Sequence, residues 1–272
     1  MALLQIAEVF GNDTSQSWDV EIRRKAWCPF RQSTCTKQGI TDPLGICSYT
    51  DERRATCVCP VRFQEKGRLF IDVGRLAFGP GRKIIVAPEI RLLKVPGKKN
   101  KKIGKVDFLI ASLDTEGKPA DFAALEVQAV YISGKSIRSA FKKYLKTGIL
   151  NEDSKRRPDF RSSAQKRLMP QLSLKVPIFR RWGKRFFVAV DAAFFEALPP
   201  LKTVMPDSAE ITWMVYPFER ARIGGFTMGQ PAVHHTLWDD VLTSLREGEA
   251  PERSELLAEL SMRASELAIY ST

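Results

Sequence analysis

The chain has 272 residues, of which 44% are apolar, and a net charge of +12 at pH 7. That length and apolar content are sufficient for a folded domain with a sizeable core. No apolar run approaches the roughly 20 residues needed to cross a bilayer, and the first ten residues lack the basic region of a signal peptide. We therefore expect a cytoplasmic protein without a membrane partner.

The excess positive charge is concentrated in the middle of the chain. Residues 82–105 contain nine Lys or Arg against one Glu, and residues 135–185 contain sixteen basic residues against three acidic ones. From residue 239 to residue 266 the balance reverses, with eight acidic and three basic residues. A concentrated basic surface favours a polyanionic partner such as nucleic acid.

All five cysteines lie near the N-terminus: Cys28, Cys35, Cys47, Cys57 and Cys59. In a reducing cytoplasm such a local cluster indicates a metal site rather than disulfides. Four thiolates would satisfy a tetrahedral zinc or iron ion and would staple a segment too short to fold around its own core. Residues 1–66 are thus predicted to form an N-terminal cysteine-metal subdomain, and residues 67–272 the remaining core.

The elements after the cysteines alternate between strands and helices, which predicts a mixed α/β fold. The patterns predict helices and strands over the following ranges: helix 68–77, strand 83–87, strands 105–111 and 122–130, helix 136–146, helix 162–175 kinked or limited at Pro170, strands 186–191 and 211–218, and helix 251–270.

Two acidic residues interrupt the apolar strands of the predicted hairpin at 105–130. If the hairpin closes about Glu116 and Gly117, Asp107 lies directly opposite Glu126 on one face of the sheet. The two-residue period of a strand puts Gln128 on the same face. Like charges directly opposite each other destabilise a sheet, so this pair predicts a bound cation. Two carboxylates holding Mg²⁺ can support hydrolysis of a phosphodiester.

The acidic residues and the cysteine segments each resemble motifs of known protein families. Asp107 followed by Glu126-Val-Gln128 resembles the PD-(D/E)xK nuclease motif, with Gln where that superfamily usually has Lys. Trp27-Cys-Pro-Phe30, Cys35, Leu44-Gly-Ile-Cys47 and Val58-Cys-Pro-Val-Arg62 resemble the cysteine domain of the NotI-type restriction endonucleases. Val106-Asp-Phe108 and Leu125-Glu-Val-Gln128 match the catalytic strands of that family, including its Glu-x-Gln variant. Looser similarity continues through 166–171 and 213–218.

The resemblance implies a PD-(D/E)xK core, with a central mixed sheet flanked by helices, and a small N-terminal subdomain that binds a metal through four cysteines. It implies that Asp107, Glu126 and Gln128 are catalytic, and we expect the Val127 carbonyl as a further Mg²⁺ ligand. It also implies that Cys28, Cys35, Cys47 and Cys59 bind a structural iron, with zinc an alternative. Cys57 then has no counterpart and is expected to be a bystander.

The implied function is that of a type II restriction enzyme, a homodimer that cuts double-stranded DNA at a GC-rich palindrome. Two alternatives remain open from the sequence. One is a non-catalytic DNA-binding module with a structural metal, and the other is a structure-selective DNA repair nuclease.

Two weaker signals concern other metal-capable side chains. Glu89 could be an accessory metal ligand, but its basic neighbours favour a surface glutamate. His234 and His235 are predicted to lie in a loop, and adjacent side chains of an extended segment point to opposite sides. A metal shared by these two histidines is therefore not expected.

Overall fold

The computed structural model describes residues 5–17, 20–50, 54–94, 102–149, 156–221, 225–246, 252–266 and 268. Its strands in chain order are β1 Gln5–Val9, β2 Asn12–Asp13, β3 Trp27–Cys28, β4 Ser33–Thr34, β5 Ile46–Thr50, β6 Ala55–Cys57, β7 Ile84–Lys94, β8 Lys102–Leu113, β9 Pro119–Gln128, β10 Tyr131–Ser133, β11 Arg157–Asp159, β12 Phe186–Asp191, β13 Ile211–Tyr216, β14 Phe218–Arg220, β15 Phe226–Met228 and β16 Ala232–Thr236.

The α-helices are α1 Val20–Lys25, α2 Arg68–Phe78, α3 Arg138–Thr147, α4 Phe160–Ser162, α5 Met169–Arg181, α6 Ala192–Glu196, α7 Trp238–Arg246 and α8 Arg253–Met262. Short 3-10 helices occupy Pro60–Gly67, Pro206–Ser208 and Ala264–Glu266, and a π-helical turn occupies Ser163–Leu168.

A mixed six-stranded sheet forms the centre of the molecule, in the order β16-β13-β12-β9-β8-β7. β12 runs parallel to both β9 and β13, whereas the β7–β8, β8–β9 and β13–β16 pairs are antiparallel. Because a parallel pair needs a long crossover connection, the chain leaves β9 and passes through α3, α4 and α5 before it returns as β12. The predicted mixed α/β core with a central sheet is confirmed.

Each face of this sheet has its own apolar core. One face packs against α5, α6 and α7, in a cluster that includes Leu172, Val188 and Trp213. The other face packs against α2 and β6, in a cluster that includes Phe63 and Leu125. Strands covered on both faces carry apolar residues on both sides, which explains why all six residues of β12 are buried.

The N-terminal region has a separate sheet and a separate apolar cluster. Its strands follow the order β2-β1-β5-β6, and β3 and β4 form a small hairpin beside them. The cluster contains Cys28 and Cys35, and it also includes Phe141 and Tyr144 of α3. The cysteine region thus shares its core with a helix from the middle of the chain. The predicted division at residues 66 and 67 stays a prediction.

The helix predicted at 162–175 is part of a longer helical segment. α4, the π-helical turn and α5 follow one another from Phe160 to Arg181. Pro170 lies in the first turn of α5, directly after the π-helical turn, and proline cannot donate the backbone bond of a regular α-helix to the preceding turn. The proline therefore limits the start of α5, which was one of the two predicted outcomes.

Two other regions differ from the sequence prediction. His234 and His235 lie in β16 rather than in a loop, because this strand pairs with β13 from a distant part of the chain. Their side chains do point to different partners, since His234 stacks on Phe195 and His235 contacts Thr212. The C-terminal helix ends at Met262, earlier than predicted, and its Leu256 and Leu260 are exposed.

No helix within the described residues combines the length and the apolar character needed to cross a bilayer.

Candidate active site

The hairpin of β8 and β9 has the register that the sequence predicts. Phe108 pairs with Leu125, and Ser112 pairs with Asp121. In the turn, the amide of Gly117 donates to the Asp114 carbonyl at 3.2 Å, and Gly117 has a φ of +79°. Glycine adopts this conformation without the strain that other residues incur. A local turn therefore fixes which residues of the two strands face each other.

The regular ladder between β8 and β9 ends just before the acidic residues. The next pair would join Asp107 to Glu126, but here the amide of Val127 donates to Oδ2 of Asp107 at 2.9 Å. A side-chain bond thus replaces the backbone bond at this position. The charge of Asp107 raises the pKa of Glu126, so the two carboxyl groups are electrostatic neighbours, as the sequence predicts.

Glu126 is almost completely removed from water. It is 1% exposed, and burial, reinforced by the charge of Asp107, raises its pKa to about 7 even though Lys175 acts in the opposite direction. A buried carboxylate needs a positive partner to remain ionised. The structure provides such a partner in Lys175, whose Nζ donates to both carboxylate oxygens at 2.7 Å.

Asp107 is the more accessible of the two acids and borders open space. Burial raises its pKa, while the bond from the Val127 amide partly offsets this effect. It lines a cleft of about 720 Å³, together with Val127, Glu89, Arg31 and Gln64. The acidic pair therefore has one buried member, and one member that faces a cleft large enough to admit part of a ligand.

Glu89 lies in β7 opposite Asp107 and has an unusual backbone conformation. Its neighbours Pro88 and Ile90 pair with Phe108 and Val106, while Glu89 itself has a φ of +57°. This conformation is rare for a residue other than glycine. The side chain is 68% exposed and forms an ion pair with Lys105 at 2.6 Å. It is a surface glutamate, as predicted, but it is also one that lines the cleft.

Gln128 follows Glu126 on the same face of β9. The parallel ladder joins Glu126 to Val188 and Gln128 to Val190, and both valines belong to the core cluster on the side of α5. The Gln128 side chain is 7% exposed, and its Nε2 donates to the Ala129 carbonyl at 2.5 Å. The amide group is thus held by the backbone of the residue that follows β9.

Lys175 is the residue that sequence reasoning missed. It lies in α5, is 3% exposed, and also donates to Oε1 of Gln171 at 2.7 Å. The sequence contains one signal that could have identified it. Its position falls on the helix face that also buries Leu168, Leu172, Val176 and Phe179. A lysine on an apolar face at helical spacing is almost never fully buried unless it is paired.

The cysteine region brings its five thiols into electrostatic contact through Cys59. Cys59 raises the pKa of Cys28, Cys35, Cys47 and Cys57, although burial is the largest cause of each increase. None of the five cysteines is in a disulfide. Within the described part of the chain, no three or more His, Cys, Asp or Glu side chains are arranged closely enough to hold a metal ion.

The donor chemistry of the four predicted cysteine ligands still fits a bound cation. Burial beside Cys59 disfavours the thiolate forms of Cys28, Cys35 and Cys47, and a bound cation would favour those forms. Lys37 supplies a positive charge nearby, since its Nζ donates to the carbonyls of Ile46 and Val58 at 2.5 and 2.9 Å. Those carbonyls come immediately before Cys47 and Cys59, so the lysine ties together the two segments that carry them.

Cys57 belongs to a different environment. It is fully buried in the cluster on the α2 side of the central sheet, and its amide donates to Oδ2 of Asp191 at 2.9 Å. Oδ1 of Asp191 accepts a bond from the amide of Phe194 at 2.7 Å. Burial raises the pKa of Asp191 to about 7. Cys57 and Asp191 thus connect the cysteine region to the end of β12.

Comparison with known proteins adds one finding to this geometry. The model of the family described as restriction endonuclease NotI matches residues 8–228 of the chain. No curated protein matches the chain. The matched range contains all five cysteines, both strands of the acidic hairpin and Lys175.

Proposed function

Because the chain belongs to the family of the restriction endonuclease NotI, we propose that its catalytic site consists of Asp107, Glu126 and Gln128. Membership makes the protein a type II restriction endonuclease, a hydrolase that cuts DNA at specific sites. The single observation that carries the assignment is the electrostatic contact between Asp107, which lines the cleft, and the buried Glu126, at the end of the ladder between β8 and β9. Neither a non-catalytic DNA-binding module nor a repair nuclease is supported by a specific observation.

Asp107 and Glu126 would hold the catalytic Mg²⁺, with the Val127 carbonyl as a third protein ligand. The fit rests on charge and donor chemistry, because Mg²⁺ prefers carboxylate and carbonyl oxygens and because both carboxyl groups have a raised pKa. When bound, Mg²⁺ would neutralise charge on the phosphate and lower the pKa of a water molecule. The Val127 amide keeps Asp107 oriented toward the cleft.

Gln128 has a supporting role in this proposal. An amide group cannot take up a proton at neutral pH, but it can donate and accept hydrogen bonds. It would orient the attacking water or hydrogen-bond the scissile phosphate. Its bond to the Ala129 carbonyl leaves the second N–H group and the oxygen available for that purpose.

Cys28, Cys35, Cys47 and Cys59 would bind one structural iron or zinc ion. A metal at this position would fix the loops that follow Cys28 and Cys59. Arg31 follows Cys28, the 3-10 helix that follows Cys59 carries Pro60, Val61 and Gln64, and these four residues line the same cleft as Asp107. The metal would thereby hold DNA-contacting side chains beside the catalytic carboxylates.

The partner would be double-stranded DNA with a GC-rich palindromic site, bound by a homodimer. A twofold axis shared by protein and DNA would place one active site on each strand. The net charge of +12 agrees with a polyanionic partner.

Digestion of long duplex DNA of known sequence tests the function directly. With Mg²⁺ present, we expect discrete fragments whose ends define one palindromic site, and no cleavage after chelation of Mg²⁺. Cleavage only at branches or mismatches would instead indicate a repair nuclease. Binding without cleavage in every divalent cation tested would contradict an endonuclease.

A further inference from the structure

We propose that Lys175 is a positioning residue of the active site, which fixes Glu126 and supplies from helix α5 the positive charge that the Glu-x-Gln strand lacks. The proposal rests on the proposed function, because it assumes that Glu126 is a metal ligand. It adds a residue that is neither in the hairpin nor near it in the sequence.

Lys175 and Glu126 form a buried ion pair in which every donor of the ammonium group is used. Its Nζ donates to both oxygens of Glu126 and to Oε1 of Gln171, all at 2.7 Å. An ammonium group has three donors, so these three bonds satisfy it completely. The lysine and glutamate side chains are only 3% and 2% exposed. Solvent therefore does little to weaken their attraction.

The position of Lys175 in the fold explains why it can act on Glu126. Glu126 and Gln128 point toward the side of the sheet on which α5 packs. Leu172 and Val176 hold that helix against the sheet, and both are 0% exposed. The ammonium group is therefore held in place by rigid packing on both sides, as a group that orients another must be.

The charge balance indicates what Lys175 contributes. Asp107 and Glu126 place two negative charges beside each other, and Gln128 adds none of the positive charge that a lysine at its position would supply. Lys175 supplies one positive charge inside the site. It also holds both oxygens of Glu126, so the carboxylate cannot rotate freely before or during binding of a divalent cation.

The test compares Lys175→Met with Lys175→Arg and with the control Lys118→Met. Lys118 pairs with Glu116 at the far end of the same hairpin and is 72% exposed. We expect Lys175→Met to lower kcat about 100-fold, by analogy with the loss of one fixed polar group of an active site. KM for DNA should stay within about threefold, because Lys175 is too buried to contact DNA. Lys175→Arg should recover part of the kcat, and Lys118→Met should leave it unchanged.

A second readout does not depend on activity. Without a divalent cation, the substitution Lys175→Met leaves Glu126 buried without its lysine partner. The melting temperature of this variant should therefore be about 10 °C below that of the parent protein. Ca²⁺ or Mg²⁺ should raise the melting temperature of Lys175→Met most of the way back to the parent value. Neither cation should raise the melting temperature of the double variant Lys175→Met/Glu126→Gln. The double variant should itself melt higher than Lys175→Met, because it has no buried carboxyl group that must either carry an uncompensated charge or take up a proton.

Two results would overturn the proposal. The first is a Lys175→Met variant that is folded and retains the parent kcat. The second is a destabilised variant whose melting temperature responds to divalent cations no more than that of the parent protein, which would indicate a purely structural lysine. If Glu126→Gln cut DNA normally, the proposed active site itself would fail, and the two failures are thus distinguishable.

Discussion

The acidic site and the cysteine site are both clusters of metal-capable side chains, but they are assembled in different ways. Asp107 and Glu126 come from the two strands of one hairpin, and the protein already provides a cation, Lys175, that contacts Glu126. The cysteines come from several short segments, and the nearby Lys37 bonds to backbone carbonyls rather than to the sulfur atoms. The first site is thus partly neutralised by a lysine that contacts a carboxylate directly, whereas Lys37 acts on Cys35 and Cys47 without a hydrogen bond to either sulfur atom. We expect the catalytic metal to be exchangeable and the cysteine metal to be required for stability.

The largest effect is expected from Glu126→Gln, which removes charge from the acidic site. Loss of several kcal/mol of charge stabilisation should slow cleavage by about 10³-fold or more, while DNA binding persists. Cleavage rates of the folded variant, measured with excess enzyme, give the result. Glu116→Gln is the matched control, because Glu116 lies in the turn of the same hairpin and is 69% exposed. Equal cleavage by both variants would remove Glu126 from the active site.

Substitution of a cysteine ligand should lower both the stability and the metal content of the protein. Cys59→Ser removes the thiol that interacts with the three other proposed ligands, so the bound iron or zinc should be lost and the melting temperature should fall by about 10 °C. Cys57→Ala should retain the metal, because Cys57 faces a different core. Elemental analysis and thermal melting report both outcomes. A parent protein that contains neither iron nor zinc would contradict the assignment of a four-cysteine metal site.

The sequence predicts those parts of the two sites that depend on local contacts, but not those that depend on how distant segments pack together. The Asp107–Glu126 contact is local, since Gly117 and one short turn determine the register of the hairpin. Lys175 could not be predicted in the same way, because it reaches Glu126 only after the crossover packs α5 against the sheet. The loop predicted for His234 and His235 is wrong for a similar reason, since β16 forms through pairing with β13, a distant part of the chain. The cysteine spacing identified candidate ligands but carried no information about their geometry.

Asp191, which joins the cysteine region to the central sheet, should make the stability of the folded protein depend on pH. Its pKa is raised to about 7 in the folded protein from an ordinary value of 3.8, so the folded state retains a proton that the unfolded chain has already released. Its contribution to stability is therefore largest at low pH and is lost as the pH rises to about 7. Between pH 5 and pH 8 the loss should be about 2–3 kcal/mol.

Urea unfolding of the parent protein and of Asp191→Asn at these two pH values isolates that contribution. The parent should lose more stability than the variant over this interval. The same pH dependence in both proteins would mean that Asp191 does not carry the buried proton.

The smallest effect concerns the pH dependence of Mg²⁺ binding at the acidic site. Mg²⁺ requires the ionised form of Glu126, whose pKa is about 7. Affinity measured by calorimetry without DNA should therefore rise by about tenfold per pH unit below pH 7 and level off above it. Affinity that is constant from pH 5.5 to pH 8 would contradict a role for a protonated Glu126.

The most direct test of the acidic site is a crystal structure of the protein soaked in Mn²⁺, with the ion located by its anomalous scattering. We predict one ion within about 2.2 Å of carboxylate oxygens from both Asp107 and Glu126. An ion bound to Asp107 and Glu89 without Glu126, or no ion in the cleft at a concentration that supports cleavage, would contradict this account.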